Sequence, residues 1–458
     1  MSDPSSAANP AQSSRDPLRH FGVTASASVL IANMIGTGVF TALGFQAKVL
    51  HSGGALLALW AVGGLVALCG ALAYAELGTM YPHCGGEYVY LGRTWHPLAG
   101  FLGGWTSMTV GFAAPIALAG IAFGRYVSTF VPLPPFALAL TALGIVALVH
   151  LADLHAAKRF QVSVTAVQLT LIVAFIIAGV RFQPAVPIAF TIDSAAVNEI
   201  LSAPFAVSLV YVSYAFTGWN AAGYIGGEID NPRRTIPRAL VAGTALVTAL
   251  YVLLNWSFLR TVPLDSLAGK VEVGALSATA MFGRAGGVVM SATIGTVLIA
   301  TISAMVLGGS RVTQAVAADL PRWGFLGKRS PDGVPRNAIL AQIALIVALL
   351  LTNSFEQVML YAGFTLNFMS LLTVLGMVRL RWLAPDAPRP YRAWGYPFTP
   401  LIYSALSFWS LGTLLKERPI ESIAGLGTLV VGWAVWWLGR ERASNGDAVS
   451  PAHDTRSA

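Results

Sequence analysis

The sequence predicts an all-α integral membrane protein with twelve transmembrane helices, and three observations predict it. The 458 residues are 55% hydrophobic and only 10% charged, with a mean hydropathy of +0.68, whereas a soluble domain carries about 25% charged residues. Apolar runs of about 20 residues, the length that crosses a hydrocarbon core, recur from one end of the chain to the other. The 46 Gly and 12 Trp suit helices that approach closely and end at membrane interfaces. Together these exclude a soluble enzyme, a disordered chain and a collagen-like fibre.

In chain order the expected spans are 22–48, 53–79, 97–128, 134–151, 160–180, 200–226, 237–259, 286–310, 337–352, 356–378, 397–415 and 421–439. The first, third and sixth are long, which implies tilt, a break or an extension beyond the bilayer. The ninth is short. The opening segment, 1–20, is rich in Ser, Pro and Ala and lacks the basic-then-apolar order of a cleaved signal. It and the closing segment, 441–458, are expected to be disordered cytoplasmic tails. With the N-terminus inside, 20 of the 28 basic residues fall on inner segments and 8 on outer ones. This favours both termini inside and an even number of spans. The net charge of +8 is spread over these short segments, so it reads as topology and not as a nucleic-acid surface.

Two spans carry Gly-rich interruptions. Span 1 contains Gly36-Thr37-Gly38 near its middle, and span 6 contains Thr217-Gly218 followed by Gly223, Gly226 and Gly227. In lipid, backbone groups freed by such breaks are tolerated only where they face protein or a cavity. The breaks are offset by five spans, an odd number, which is the mark of an inverted repeat whose broken helices meet at the midplane. The N-terminal end of a half-helix offers free N–H groups and suits a carboxylate, and the C-terminal end offers C=O groups and suits an ammonium. Two facing breaks therefore suit a zwitterion held by backbone atoms. No carboxylate is expected at midspan in spans 1, 3, 6, 8 or 10, which favours a neutral amino acid over a cationic one or a polyamine. Glu76, towards the inner end of span 2, has two readings: a gating or proton-handling group, or a structural hydrogen-bond acceptor.

The strings IGTGVF at 35–40, YAELGTMYPHCGGEYVYL at 74–91, GFLGGW at 100–105, YAFTGWNAAGYIGGEIDNPRRTIPRAL at 214–240 and Ser310-Arg311 resemble the amino acid–polyamine–organocation superfamily of permeases. The likeness is closest to its bacterial amino acid permeases and L-type amino acid transporters, and it extends from about residue 20 to 440. It implies a LeuT-type fold, with a first inverted repeat in 21–181 (spans 1–5), a second in 199–380 (spans 6–10), and two extra helices in 396–440. It also implies a plasma (inner) membrane location and secondary active transport by alternating access. The amides around Ile35, Gly36, Thr37 and Gly38 match where the family holds the substrate carboxylate. Tyr214 matches the aromatic gate. Ala215, Phe216 and Thr217 match the carbonyls for the amine, and Trp219 and Asn220 match the GWN that follows. Glu228, beside Arg233 and Arg234, is a gate candidate.

One departure bears on coupling. An ungapped alignment of 157–161 puts Gln168 where many relatives carry a span 5 Lys, and Gln does not titrate. Sodium-coupled relatives pair adjacent hydroxyl residues in span 8. Here Thr301 and Ser303 are candidates but are not adjacent, so proton coupling, sodium coupling and exchange all stay open.

A membrane-embedded enzyme would need acids and His clustered at one face, but the seven His are scattered. No Walker-type string is present. Cys69 and Cys84 suggest neither a disulfide framework nor a metal cluster, and Cys84 gives no reason to expect a disulfide-linked partner subunit. No cofactor is implied. The expected partners are a small-molecule substrate, an amino acid, and the bilayer; a partner subunit is left open.

Overall fold

The computed structural model describes residues 22–82, 85–152, 157–182, 188–219, 229–318, 321–328, 330, 334–352 and 354–439, with side chains of 152–165, 315, 318 and 321–323 left aside. Among these the architecture is helical throughout, with no β-strand. Seven helices are long and apolar enough to cross a membrane, and two further bent pairs pass the same test when each pair is taken together. Three shorter apolar helices lie at 135–151, 166–181 and 336–350.

Span 1 is two helices, α1 (Val23–Met34) and α2 (Thr37–Gln46), which meet at 41°. The bend sits on Gly36, whose extended backbone (φ −141°, ψ −153°) breaks the ladder. After it come α3 (Gly53–Met80) and α4 (Glu87–Thr94), a short helix that the apolar pattern does not reveal. Span 3 runs over 97–127 as α5 (Pro97–Thr106) and α6 (Ala113–Val127), joined by a π-helical turn, Ser107–Phe112. Next come α7 (Pro135–Ala152) and α8 (Ala157–Arg181).

The chain then turns through α9 (Ser194–Ile200) into α10 (Ala203–Ala215) at 64°. Ser202 and Pro204 mark that start in the usual way: the Ser202 hydroxyl caps the Phe205 N–H, and Pro occupies a first-turn position that needs no donor. Then follow α11 (Pro232–Thr261), the four-residue α12 (Leu264–Leu267) and α13 (Val273–Ala318). The sequence reading of span 8 as 286–310 is too short, because helix extends at both ends. α13 is divided at Gly283 (φ +72°), where only Gly turns easily, so 273–282 is a separate arm. The last four helices are α14 (Arg336–Leu350), α15 (Phe355–Leu383), α16 (Phe398–Glu417) and α17 (Pro419–Gly439).

The pairings repeat in an ordered way. α1 packs on α11 and α10 on α3; α6 packs on α14 and α13 on α7; α8 packs on α11 and α15 on α3; α8 packs on α13 and α15 on α6. Each contact has a counterpart in which the five elements from the first half of the chain exchange places with the five from the second. The broken span 1 and α10 sit inside this frame, and α2 packs directly on α10.

Candidate functional site

A cavity of about 130 Å³ lies where the two interruptions meet. Gly36, Thr37 and Gly38 border it from span 1, and Tyr214, Ala215, Thr217, Gly218 and Trp219 from span 6. Ser107 and Phe112 border it from span 3, Thr301 and Met305 from α13, and Leu366 and Ser370 from α15. The π turn of span 3 adds an extra residue to one turn, which changes the faces that the next residues present. The turn contributes Ser107, Gly111 and Phe112 to the wall.

The two breaks are built for close approach. A Cβ on Gly38 would lie 2.7 Å from both the Cα and the Cβ of Ala215, so span 1 and span 6 touch here only because residue 38 has no side chain. Gly218 has φ +105°, and a Cβ on it would lie 2.6 Å from the Asn33 carbonyl oxygen. Both conformation and space demand Gly there. Gly36 caps α2 without any side-chain bond to the first-turn amides. The helix end therefore keeps N–H groups and a partial positive charge beside the cavity. The ends of α1 and α10 bring carbonyls and the opposite partial charge.

Other side chains hold these carbonyls. The Tyr251 hydroxyl, on α11, donates to the Met34 carbonyl (2.6 Å) and lies 3.1 Å from the Ala215 carbonyl. It thus bridges the last residue of α1 and the last of α10. The Gln168 side-chain amide donates to the Ile35 carbonyl (2.6 Å). Thr217 donates its hydroxyl to the Tyr214 carbonyl (2.6 Å), which closes the turn after α10. Trp219 stacks edge-on to Tyr74 at 4.5 Å.

Of the residues singled out in the sequence, Gly36, Thr37, Gly38, Tyr214, Ala215, Thr217 and Trp219 come together around the cavity. Ile35 does not line it, and its carbonyl is directed to Gln168. Phe216 lies behind the break against Tyr251, with ring centroids 5.0 Å apart, and lines a smaller neighbouring cavity of about 30 Å³. Asn220 and Glu228 lie outside the described residues. Thr301 lines the cavity, and its hydroxyl donates to the Val297 carbonyl (3.0 Å). Ser303 meets His150 Nε2 at 2.9 Å and does not line the cavity.

Glu76 is away from the cavity and is 0% exposed. Its carboxylate pairs with Arg381, with Arg389 (3.3 Å) and with the Ala393 backbone N–H (2.7 Å). The sequence offers no carboxylate at midspan in the spans that wall the cavity, but one reaches it from a short helix between spans. Glu87, the first residue of α4, lines the cavity. It lies outside every long apolar run, so hydropathy could not assign it to the site. Tyr251 was missed for a related reason: a Tyr in an apolar helix reads as packing until its hydroxyl is seen between two carbonyls. Among the described residues no cluster of His, Cys, Asp and Glu could hold a metal ion.

Comparisons with known proteins place the chain in a family. The family model for amino acid permeases matches residues 21–415. The serine/threonine exchanger SteT of Bacillus subtilis is 30% identical over 424 residues, covering 90% of this chain and 94% of that protein. The large neutral amino acids transporter small subunit 2 of Homo sapiens is 27% identical over 439 residues, with 92% and 80% covered. The cystine/glutamate transporter of Homo sapiens is 26% identical over 422 residues, with 90% and 83% covered. A multi-pass helical chain matched by that model over most of its length belongs to the amino acid permease family, and it is a membrane transporter and not an enzyme.

Proposed function

We propose that this protein carries neutral amino acids across the plasma (inner) membrane by alternating access, with the substrate held at the two breaks. The observation that carries the reading is the cavity bounded by both interruptions at once. The amides that open α2 take the carboxylate, and the carbonyl ends of α1 and α10 take the ammonium. Tyr214, just before the end of α10, closes the cavity as its aromatic gate. Tyr251 and Gln168 hold the break carbonyls from behind with uncharged donors. Neither donor needs a proton or a sodium ion to do so, which favours exchange of one amino acid for another. The names of the serine/threonine exchanger and the large neutral amino acids transporter support the same substrate class.

The paired contacts support the frame of this proposal. Residues 21–181 and 199–380 form inverted halves, 396–440 adds two helices, and twelve spans put both tails, 1–20 and 441–458, inside. The swapped packing of α3 with α10 and of α11 with α1 supports it. The cationic or polyamine alternative is favoured by one observation, the presence of Glu87 in the wall. That carboxylate is met by uncharged hydroxyl donors, those of Tyr74 and Ser370, and by no described cation, which supports a neutral substrate.

The test is uptake of labelled alanine, serine, leucine, arginine and putrescine into proteoliposomes, each with a pH gradient, a sodium gradient or internal amino acid. Neutral substrates are expected, stimulated by internal amino acid and indifferent to both gradients. Uptake of arginine or putrescine alone overturns the reading. Gly38→Ala is expected to reduce uptake at least about tenfold while the protein stays folded in detergent, because the added Cβ collides with Ala215. Normal uptake by that variant removes the breaks from the site.

A further inference from the structure

Backbone atoms recognise what all amino acids share, so discrimination between side chains falls to the rest of the cavity wall. Most of that wall is apolar or weakly polar: Phe112, Met305, Leu366 and Trp219, with Ser107 and Thr301. Among the described residues Glu87 stands apart as the one carboxylic acid in the lining, and no described Lys, Arg or His lines it. The residue is 4% exposed and opens α4 directly after Gly86. Its Oε1 accepts from the Tyr74 hydroxyl and from the Ser370 hydroxyl at 3.1 Å, and Ser370 itself lines the cavity. A carboxylate offers about four acceptor positions and no donor when ionised. A buried one is favoured by every hydrogen-bond donor that reaches it.

We propose that Glu87 is the specificity-determining residue of this site, and that it selects small neutral amino acids whose side chain carries a hydroxyl. The inference rests on the functional reading above and deepens it. With the head group held at the breaks, the substrate side chain shares the remaining space with Glu87 and Ser370. A side-chain O–H donates to the carboxylate. An aliphatic side chain of the same size leaves that position unused and places apolar atoms against a charge. The cavity of about 130 Å³ suits a small side chain. Hydrogen bonds to charged groups are among the stronger ones in proteins, so a preference of about tenfold or more is expected.

The matched pair is serine and 2-aminobutyrate, which differ by a hydroxyl in place of a methyl. Each competes with labelled alanine for uptake by the full-length protein in proteoliposomes. The wild type is expected to prefer serine by about tenfold or more. Glu87→Gln is expected to bring that ratio below about threefold, through a serine KM that rises more than the alanine KM does. Wild-type uptake of alanine without a serine preference overturns the Glu87 assignment alone. Equal loss of serine and alanine in the folded variant also overturns it, since that is a structural effect. So does a preference for ornithine over serine that disappears in Glu87→Gln, which marks a cation site. Wild-type protein that moves no neutral amino acid overturns the functional reading and this inference with it. Should Glu87→Gln fail to fold, Tyr74→Phe removes one donor and leaves the carboxylate in place. A serine preference raised by at least about threefold supports the assignment, and an unchanged ratio overturns it.

Discussion

At the scale of single residues, the site depends on groups that are almost invisible from the cavity. Tyr251 is 0% exposed and packs edge-on against Trp60 at 5.5 Å, which leaves its hydroxyl one direction to point, towards Met34 and Ala215. A buried carbonyl that loses its donor costs about 1–3 kcal/mol. Tyr251→Phe keeps the ring and removes only the hydroxyl. It is therefore expected to lower stability by about 1–2 kcal/mol, measured as thermal unfolding in detergent. The KM for alanine should rise more than the maximal rate falls, because the carbonyls proposed to hold the head group have lost their support. An unchanged KM would make Tyr251 a packing residue only. Gln168 acts in the same manner on Ile35, with an amide that stays neutral at every pH of interest.

At the scale of elements, ion clusters fasten helix ends on opposite sides of the molecule. At one end Glu76 on α3 meets Arg381 on α15 and Arg389 in the loop after it. At the other, Glu356, at the start of α15, meets Lys48 after α2 (2.7 Å), Arg418 after α16 (3.1 Å) and the Tyr211 hydroxyl on α10 (3.0 Å). α15 is thus tied at both ends, and its middle supplies Leu366 and Ser370 to the cavity. The Glu76 pair is the more deeply buried: its carboxylate is 1% exposed, against 17% for that of Glu356. Removing one partner from a buried pair leaves an uncompensated charge, at a cost of about 3–5 kcal/mol. Glu76→Gln is therefore expected to lower thermal stability markedly, with Arg381 and Arg389 stranded, while the substrate preference of any surviving protein is unchanged. A stable variant with altered proton or sodium dependence would return Glu76 to a role in coupling.

At the scale of the whole molecule, the surface is that of a protein in lipid. Large apolar side chains lie outward, among them Leu148 (69% exposed), Ile420 (75%) and Val430 (62%). Trp382, Trp394 and Trp437 are exposed as well, and all three belong to segments that the basic-residue count puts at the inner interface. The proposed topology has a direct check. In a background without Cys84, Lys270→Cys, on an exposed turn between α12 and α13, is expected to react with an impermeant maleimide in intact cells. Asp386→Cys, on the exposed loop after α15, is expected to react only after permeabilisation. The reverse pattern inverts the protein, and labelling of both in intact cells breaks the even count of spans.

The sequence by itself determined the class of fold, the approximate places of the long apolar helices and the Gly positions at both interruptions. Crossing lipid demands continuous apolar runs, and a break in one leaves a local signature in Gly that needs no knowledge of the rest of the chain. Gly36 to Gly38 and Thr217-Gly218 were legible for that reason. The tertiary structure decided what stands behind and below the breaks. Tyr251 lies 36 residues from Ala215 and 217 from Met34, and Gln168 lies 133 from Ile35. Such pairings depend on which helix faces which, and periodicity does not encode that. Glu87 was hidden more completely, because it belongs to a short polar helix between spans and enters the cavity only when α4 folds back against α5 and α15. Hydropathy locates what must avoid water. It is silent about a buried carboxylate, whose place is paid for by donors that arrive from distant parts of the chain.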